Sequence, residues 1–166
     1  MKRINRLLIC LLLVFAVLFT LASCDDKPQA KQLTDLQLPN LKANQAAVII
    51  KNGDKDYTSY TVDLTKVGDG NVTAEAVLNY LKDEAGLTLD WADGGYGKFI
   101  NAIGGINPDP SHEYVQVFTS NANFKGNWAG VETREAGDVT LASSAVGVTE
   151  LVVAVGDVVY FELGSF

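Results

Sequence analysis

The only histidine of this 166-residue sequence, His112, lies between Ser111 and Glu113, directly after an Asn-Pro-Asp-Pro turn. A serine nucleophile needs a base, usually histidine, within hydrogen-bonding reach. Adjacent residues on a turn seldom point at one another, and no serine has the surroundings of a nucleophile elbow. The sequence therefore predicts no catalytic residue and no enzymatic activity.

Three aspartates, Asp90, Asp93 and Asp109, are candidates for a glycosidase pair or a calcium site. The two carboxylates of a glycosidase stand about 5 Å or about 6.5 to 9.5 Å apart. Their spacing along the chain is not that of an EF-hand loop. Turn formation and capping explain aspartates in such loops more simply. We therefore predict neither a metal site nor a cofactor.

Aromatic residues next to Gly, Asn or Asp are a stronger signal, since such positions favour loops. Exposed rings in loops can form a platform for a sugar, a corrin-like ring or a protein partner. The alternative is that some of them, Trp91 and Tyr96 above all, belong to the core. The predicted ligand-binding residues are Trp91, Tyr96, Tyr114, Phe124 and Trp128.

The first residues have the layout of a secretory leader: a basic head is followed by an apolar run from Leu7 to Leu21. That run has roughly 15 residues, fewer than the about 20 that a membrane-spanning helix needs. Leu21-Ala22-Ser23-Cys24 resembles the lipobox of bacterial lipoproteins, in which the cysteine receives a diacylglycerol. We expect residues 1–23 to be removed as a lipoprotein signal peptide and Cys24 to be lipidated. An ordinary signal peptide with an incidental cysteine is the alternative.

This interpretation places the chain outside the cytoplasm, anchored by Cys24 to the outer face of a bacterial cell membrane. Cys10 would leave with the leader and Cys24 would be blocked, so no disulfide is expected. Ten of the thirteen basic residues would remain against twenty acidic ones, which changes the net charge from −7 to −10. Such a balance argues against a nucleic-acid partner, and against adhesion to anionic lipid by charge alone.

Residues 24–45 are rich in Asp, Lys, Gln, Asn and Pro. Their leucines are too sparse to predict a core: Leu33, Leu36, Leu38 and Leu41. We interpret this stretch as a flexible linker between the lipid and a folded domain over residues 46–166.

Within that domain, residues 46–51 and 57–64 read as two strands of a hairpin around Asn52-Gly53-Asp54. Thr73 can cap a helix that ends at Gly86. The apolar positions of this helix share one face at spacings of three and four: Ala74, Val77, Leu78 and Leu81.

Several more strands are predicted after the helix. They cover residues 87–91, 98–106 and 113–119, and a closing hairpin is expected from residues 146–155 and 158–163 around Gly156-Asp157. Phe99 and Ile100 are expected in the core. A hairpin, one helix and several strands predict an α+β fold.

The same residues resemble a known family, the transcobalamin-type C-terminal domain, whose function in bacteria is largely unknown. The resemblance covers residues 46–163 and rests on Tyr96-Gly97, Phe99-Ile100, Ile103-Gly104 and Gly156-Asp157-Val158. It implies a β-grasp-like mixed sheet with one packed helix. The chain departs from the family at residues 114–121, and it lacks the helical domain of the cobalamin carriers, so cobalamin binding is not implied.

Together these observations predict a non-catalytic, lipid-anchored surface module that binds a small ligand or a surface partner. A structural or adhesive domain that assembles with other surface proteins by strand addition is the alternative. A hydrolase of cell-wall material is a third and weaker one.

Overall fold

The computed structural model describes residues 27–166 apart from Lys55 and Tyr96. This part contains a 3-10 helix (Leu64–Lys66), one α-helix, α1 (Ala74–Ala85), and nine strands. The strands are β1 (Lys31–Leu33), β2 (Gln45–Lys51), β3 (Tyr57–Asp63), β4 (Leu89–Gly94), β5 (Gly97–Ile103), β6 (Glu113–Thr119), β7 (Thr133–Ala136), β8 (Val139–Ser143) and β9 (Val158–Ser165). The predicted signal peptide, Cys24 and Tyr96 lie outside the described residues.

Seven strands form one sheet in the order β1-β3-β2-β9-β6-β8-β7, and β4 and β5 form a separate ribbon. The first hairpin strand, β2, runs parallel to the last strand, β9, in the middle of the sheet, whereas the other pairs are antiparallel. Helix α1 packs on one face. This is an α+β, β-grasp-like mixed sheet with one main helix, as predicted.

The predicted hairpin and helix are confirmed. β2 and β3 pair from Gln45↔Asp63 to Lys51↔Tyr57. Thr73 Oγ1 accepts a hydrogen bond from the Ala76 N–H at 3.3 Å, which satisfies a donor that the first turn leaves unpaired. Gly86 ends the helix at φ +68°, a left-handed conformation that glycine adopts without steric cost. The four predicted apolar positions of the helix are buried.

We call the sheet face under α1 the helix face and the other the open face. Successive side chains of a strand point to opposite faces. In β9, Val159 and Phe161 therefore join the helix-face cluster, whereas Val158 and Tyr160 join a second cluster on the open face. Central strands with both faces covered are apolar at nearly every position, which explains the continuous run of buried residues in β2.

The interpretation of residues 24–45 as a flexible linker is corrected for the described part of that stretch. β1 pairs with β3 through Lys31↔Ser59 and Leu33↔Tyr57. Leu36, Leu38 and Leu41 pack partly against the open-face cluster. These leucines have no helical or strand periodicity, and they are buried because an apolar sheet face was left uncovered.

The predicted closing hairpin is wrong, because β9 is paired on both sides by β2 and β6. Residues 146–155 instead form a loop whose apolar side chains Val148, Leu151 and Val153 enter the helix-face core. The hairpin of β7 and β8 was not predicted from the sequence. Its turn contains Gly137 at φ +63°.

The β4–β5 ribbon confirms one predicted core residue and corrects another. Ile100 is buried, but Phe99 is 54% exposed. Trp91 is paired with Ile100, and Ala92 with Phe99. Only one side of the two-stranded ribbon lies against the core. Because successive side chains of β5 point to opposite sides, Ile100 is buried and its neighbour Phe99 is exposed to solvent.

Candidate functional site

Strands β6 and β8 diverge and leave a cleft between them. They pair only at Phe118↔Ser143 and Thr119↔Ala142, followed by a hydrogen bond from the Ser144 N–H to the Val117 carbonyl at 2.8 Å. Beyond this point a concavity of about 330 Å³ opens between β6 and the loop that precedes β7. We call it the Trp128 cleft. The residues of its lining that matter below are Tyr114, Gln116, Trp128, Glu132, Ser143 and Ser144.

Trp128 lies in the cleft with 49% of its surface exposed. Its loop is held at two points: Gly126 N–H donates to the Ser143 carbonyl at 2.8 Å, and Ala145 N–H donates to the Phe124 carbonyl at 2.8 Å. A Cβ at Gly126 would collide with the indole ring. Glycine at this position therefore lets the ring lie directly against the backbone.

Tyr114 faces the same cleft from β6. It is paired with Gly164 of β9, where an added Cβ would lie 2.7 Å from Tyr114 Cζ. The Tyr114 ring also contacts the Phe166 ring, with 5.1 Å between centroids. The Tyr114 ring thus contacts the exposed Phe166 ring and lies close to the backbone of Gly164.

Two buried polar side chains line the same cleft. Gln116 Nε2 donates to Ser143 Oγ at 3.2 Å, and Ser143 Oγ donates to the Glu132 carbonyl at 3.4 Å. Both Gln116 and Ser143 are buried. The cleft therefore combines aromatic walls with fixed amide and hydroxyl groups.

A buried ion pair lies on the open face next to Gln116, which is paired with Glu162 of β9. Glu162 is 5% exposed; its Oε1 accepts from Arg134 Nε at 2.8 Å and also from Arg134 Nη2, and its Oε2 accepts from the Tyr160 hydroxyl at 2.6 Å. Burial, and then the hydrogen bond to Glu162, raise the pKa of Tyr160 above its ordinary value. Arg134 Nη2 also contacts Glu132 Oε2 at 2.8 Å.

Sequence reasoning missed this network, although two signals were present. Glu162 is an acid inside the apolar run VVYFEL, and Arg134 is the only arginine after Arg6. A carboxylate on a buried strand needs a cationic or hydrogen-bonding partner, so a search for that partner would have found Arg134.

The other predicted aromatic residues lie elsewhere. Trp91 packs partly against the helix-face core, and Lys98 Nζ lies 5.9 Å from its ring centroid. Phe124 also packs partly against that core. The structure therefore brings Tyr114 and Trp128 together and places Trp91 and Phe124 outside the cleft lining.

The turn around His112 corrects the expectation that the side chains of Ser111 and His112 point away from each other. Ser111 Oγ lies 2.9 Å from His112 Nδ1, although the two residues are adjacent. The reason is Asp109, whose Oδ1 accepts from Ser111 N at 2.9 Å and Ser111 Oγ at 2.6 Å. The hydrogen bond from the Ser111 hydroxyl lowers the pKa of Asp109 most, and the bond from the Ser111 N–H lowers it further. The imidazole is 62% exposed on this turn.

The candidate metal-binding aspartates are dispersed. Asp93 pairs with Lys98 at 2.5 Å, Asp90 accepts from Asn101 Nδ2 at 3.2 Å, and Asp109 belongs to the His112 turn. Among residues 27–166, with Lys55 and Tyr96 left aside, no three His, Cys, Asp or Glu side chains converge as a metal site would require. In the same part of the chain no helix is long and apolar enough to span a membrane.

No family model matches this chain, and no curated protein matches its sequence. Among solved structures, it is similar to a proposed metal-binding protein from Ruminococcus gnavus ATCC 29149. The identity is 16% and the TM-score 0.49, over 74% of this chain and 98% of that one. An identity this low says nothing about the ligand of this chain, and the resemblance to transcobalamin-type domains stays a prediction.

Proposed function

We propose that this chain is a non-catalytic binding module, lipid-anchored at the outer face of a bacterial membrane, and that it binds its ligand in the Trp128 cleft. The observation that carries the proposal is the position of Trp128. This indole is half exposed and lines the same open concavity as Tyr114, so two aromatic side chains offer contact area to one ligand.

The chemistry of the cleft favours a ligand with an apolar face and neutral polar groups. Aromatic walls supply contact area, and a few fixed polar groups supply orientation. The fixed groups are the Gln116 amide and the Ser143 hydroxyl. Glu132 is held by Arg134, so its charge is partly neutralised. Sugars, which combine apolar ring faces with hydroxyls, fit this description best.

The anchor rests on the sequence alone. Two acyl chains on Cys24 would hold the protein firmly, whereas one chain holds only marginally. Labelled fatty acid should enter the full-length chain in a bacterial host, and it should not enter a Cys24→Ser variant.

A thermal-shift screen tests the cleft, with cell-wall oligosaccharides and cobinamide among the probes. The soluble protein should begin at residue 25, because a fragment from Ala46 would lose β1 and the three packed leucines. A probe at 100 times its dissociation constant adds about 2.7 kcal/mol to the free energy of unfolding. Trp128→Ala should abolish this shift.

Phe99→Ala is the matched control, because Phe99 is an equally exposed aromatic residue on the β4–β5 ribbon. It should keep the full shift. If Trp128→Ala keeps the shift as well, the cleft is not the site.

One observation favours the alternative function, assembly by strand addition. Among the described strands, β8 covers β6 only at Phe118 and Thr119, so the N-terminal half of β6 presents an open edge to the cleft. An extended peptide can pair with such an edge through main-chain hydrogen bonds. Capture of an extended peptide that survives Trp128→Ala would support this function over ligand binding.

A further inference from the structure

The charge of the Trp128 cleft comes from one residue. Among the described residues that line it, Glu132 is the only acid, and none is a lysine, an arginine or a histidine. The Glu132 side chain is 51% exposed. Its carbonyl accepts from Ser143 N at 3.0 Å and from Ser143 Oγ at 3.4 Å. A carboxylate on a fixed backbone therefore stands beside the space that a ligand would occupy.

Arg134 holds one oxygen of this carboxylate and leaves the other open. Arg134 Nη2 donates to Glu132 Oε2 at 2.8 Å. Within the described part of the chain, no group donates a hydrogen bond to Glu132 Oε1. This oxygen is free to accept a hydrogen bond from a ligand.

Arg134 is too fully engaged to serve as a site for an anionic ligand. Of the five N–H groups of a guanidinium, two donate to Glu162, one donates to Glu132 and one donates to the Thr133 carbonyl. One positive charge thus faces the two carboxylates of Glu132 and Glu162. The network keeps one negative charge at neutral pH, and Glu132 is its member in the cleft lining.

Gln116 supplies a second acceptor. It is 9% exposed, and its Nε2 donates to Ser143 Oγ, which itself donates to the Glu132 carbonyl. This leaves Gln116 Oε1 without a donor among the described residues. No fully buried side-chain polar atom of those residues lacks a partner, so Gln116 Oε1 is open to solvent. The Trp128 cleft is the concavity that Gln116 lines.

We propose that the Trp128 cleft selects neutral sugars and rejects acidic ones, and that Glu132 determines this specificity. The inference rests on the proposed function, because it needs a ligand in the cleft. A sugar ring packs on Trp128, while Gln116 Oε1 and Glu132 Oε1 each accept a hydrogen bond from a sugar hydroxyl. An acidic group on the sugar would lie beside the Glu132 charge without a cation to pair with.

The size of this repulsion follows from Coulomb's law. A like charge about 5 Å away weakens binding by about fourfold at the dielectric constant of water, and by more than about 100-fold at an effective value of about 20. A half-exposed carboxylate lies between these limits, so discrimination of about tenfold is expected. The Debye length is about 8 Å at physiological ionic strength, so more distant acidic residues contribute less.

The test is calorimetric titration of residues 25–166, which hold both apolar clusters and all nine described strands. The probes are tetramers of glucose, galactose and mannose, each beside the matched tetramer in which C6 is oxidised to a carboxylate. At least one neutral tetramer should bind, and about tenfold more tightly than its acidic partner. Molar salt should reduce this ratio.

Two single variants separate position from net charge. Glu132→Gln removes the charge from the cleft and keeps an oxygen acceptor. Glu135→Gln removes one charge from β7 outside the cleft lining, where Glu135 contacts Thr140. Glu132→Gln should lower the ratio of neutral to acidic affinity to about threefold or less, and Glu135→Gln should leave it unchanged. Thermal unfolding of both variants checks that the fold is intact.

A ratio that Glu132→Gln leaves unchanged, or that both variants lower equally, would overturn the inference. Tighter binding of an acidic tetramer, or no binding of any neutral tetramer, would overturn it as well. Trp128→Ala separates these results from the proposed function. If Trp128→Ala abolishes binding of a probe while Glu132→Gln leaves the ratio unchanged, the cleft is still the site and only the role of Glu132 fails.

Discussion

The two faces of the sheet are built differently. The helix face holds a cluster of twenty buried hydrophobic residues, covered by α1, the β4–β5 ribbon and the loop after β8. The open face holds a cluster of seven buried hydrophobic residues. Leu36, Leu38 and Leu41, from the segment between β1 and β2, cover part of it. Of the six buried polar side chains among the described residues, Ser59, Gln116, Ser143 and Glu162 lie on the open face, and Thr58 and Thr119 lie on the helix face. Gln116 and Ser143 also line the Trp128 cleft. The helix face therefore provides most of the stability, whereas the open face can hold a polar site.

Leucine truncation on each face sharpens this comparison most. Leu78→Ala on α1 removes a side chain with no exposed surface, and we expect a loss of about 4 kcal/mol in the free energy of unfolding. Leu38→Ala removes the same atoms from a half-buried position on the open face, and about 1 kcal/mol should be lost. Urea denaturation measures both, and similar losses would contradict a dominant helix face.

The buried ion pair on the open face gives the next largest effect. Arg134→Leu leaves the Glu162 carboxylate buried without its cationic partner. Breaking a buried pair in this way costs about 3 kcal/mol or more, and about 2 kcal/mol is expected here because Arg134 is partly exposed. Glu132→Gln is the control, since Glu132 contacts the same guanidinium from the solvent side and should cost less than about 0.5 kcal/mol.

Each face also buries one tyrosine, Tyr60 on the helix face and Tyr160 on the open face. Burial raises the pKa of Tyr60, and burial followed by the Glu162 hydrogen bond raises that of Tyr160 further. Above about pH 10 the unfolded chain loses these protons while the folded chain keeps them. This stabilisation is therefore complete below pH 10 and is lost as the pH rises.

The slope should reach about 1.4 kcal/mol per pH unit for each protonated tyrosine. Denaturation between about pH 8 and about pH 11 measures it. Tyr160→Phe should reduce the slope more than Tyr60→Phe does, because the hydrogen bond to Glu162 adds to the burial of Tyr160 alone. An unchanged slope in Tyr160→Phe would contradict the assignment.

Local sequence signals determined the local elements of this protein. Thr73, Gly86 and four apolar residues at helical spacing defined α1 because capping and periodicity act within a few residues. The alternation of residues 113–119 predicted β6 for the same reason, and it placed Tyr114 and Gln116 on one face. The sequence therefore predicted the two β6 side chains that line the Trp128 cleft.

Long-range packing decided the rest. Only the folded chain places β9 between β2 and β6, recruits Leu36, Leu38 and Leu41 to an open sheet face, and turns Phe99 toward solvent. It also brings Trp128 and Tyr114 into the lining of one concavity. Periodicity reports neighbours a few residues apart, whereas each of these arrangements depends on which distant segment covers an exposed surface, and that is settled by the packing of the whole sheet.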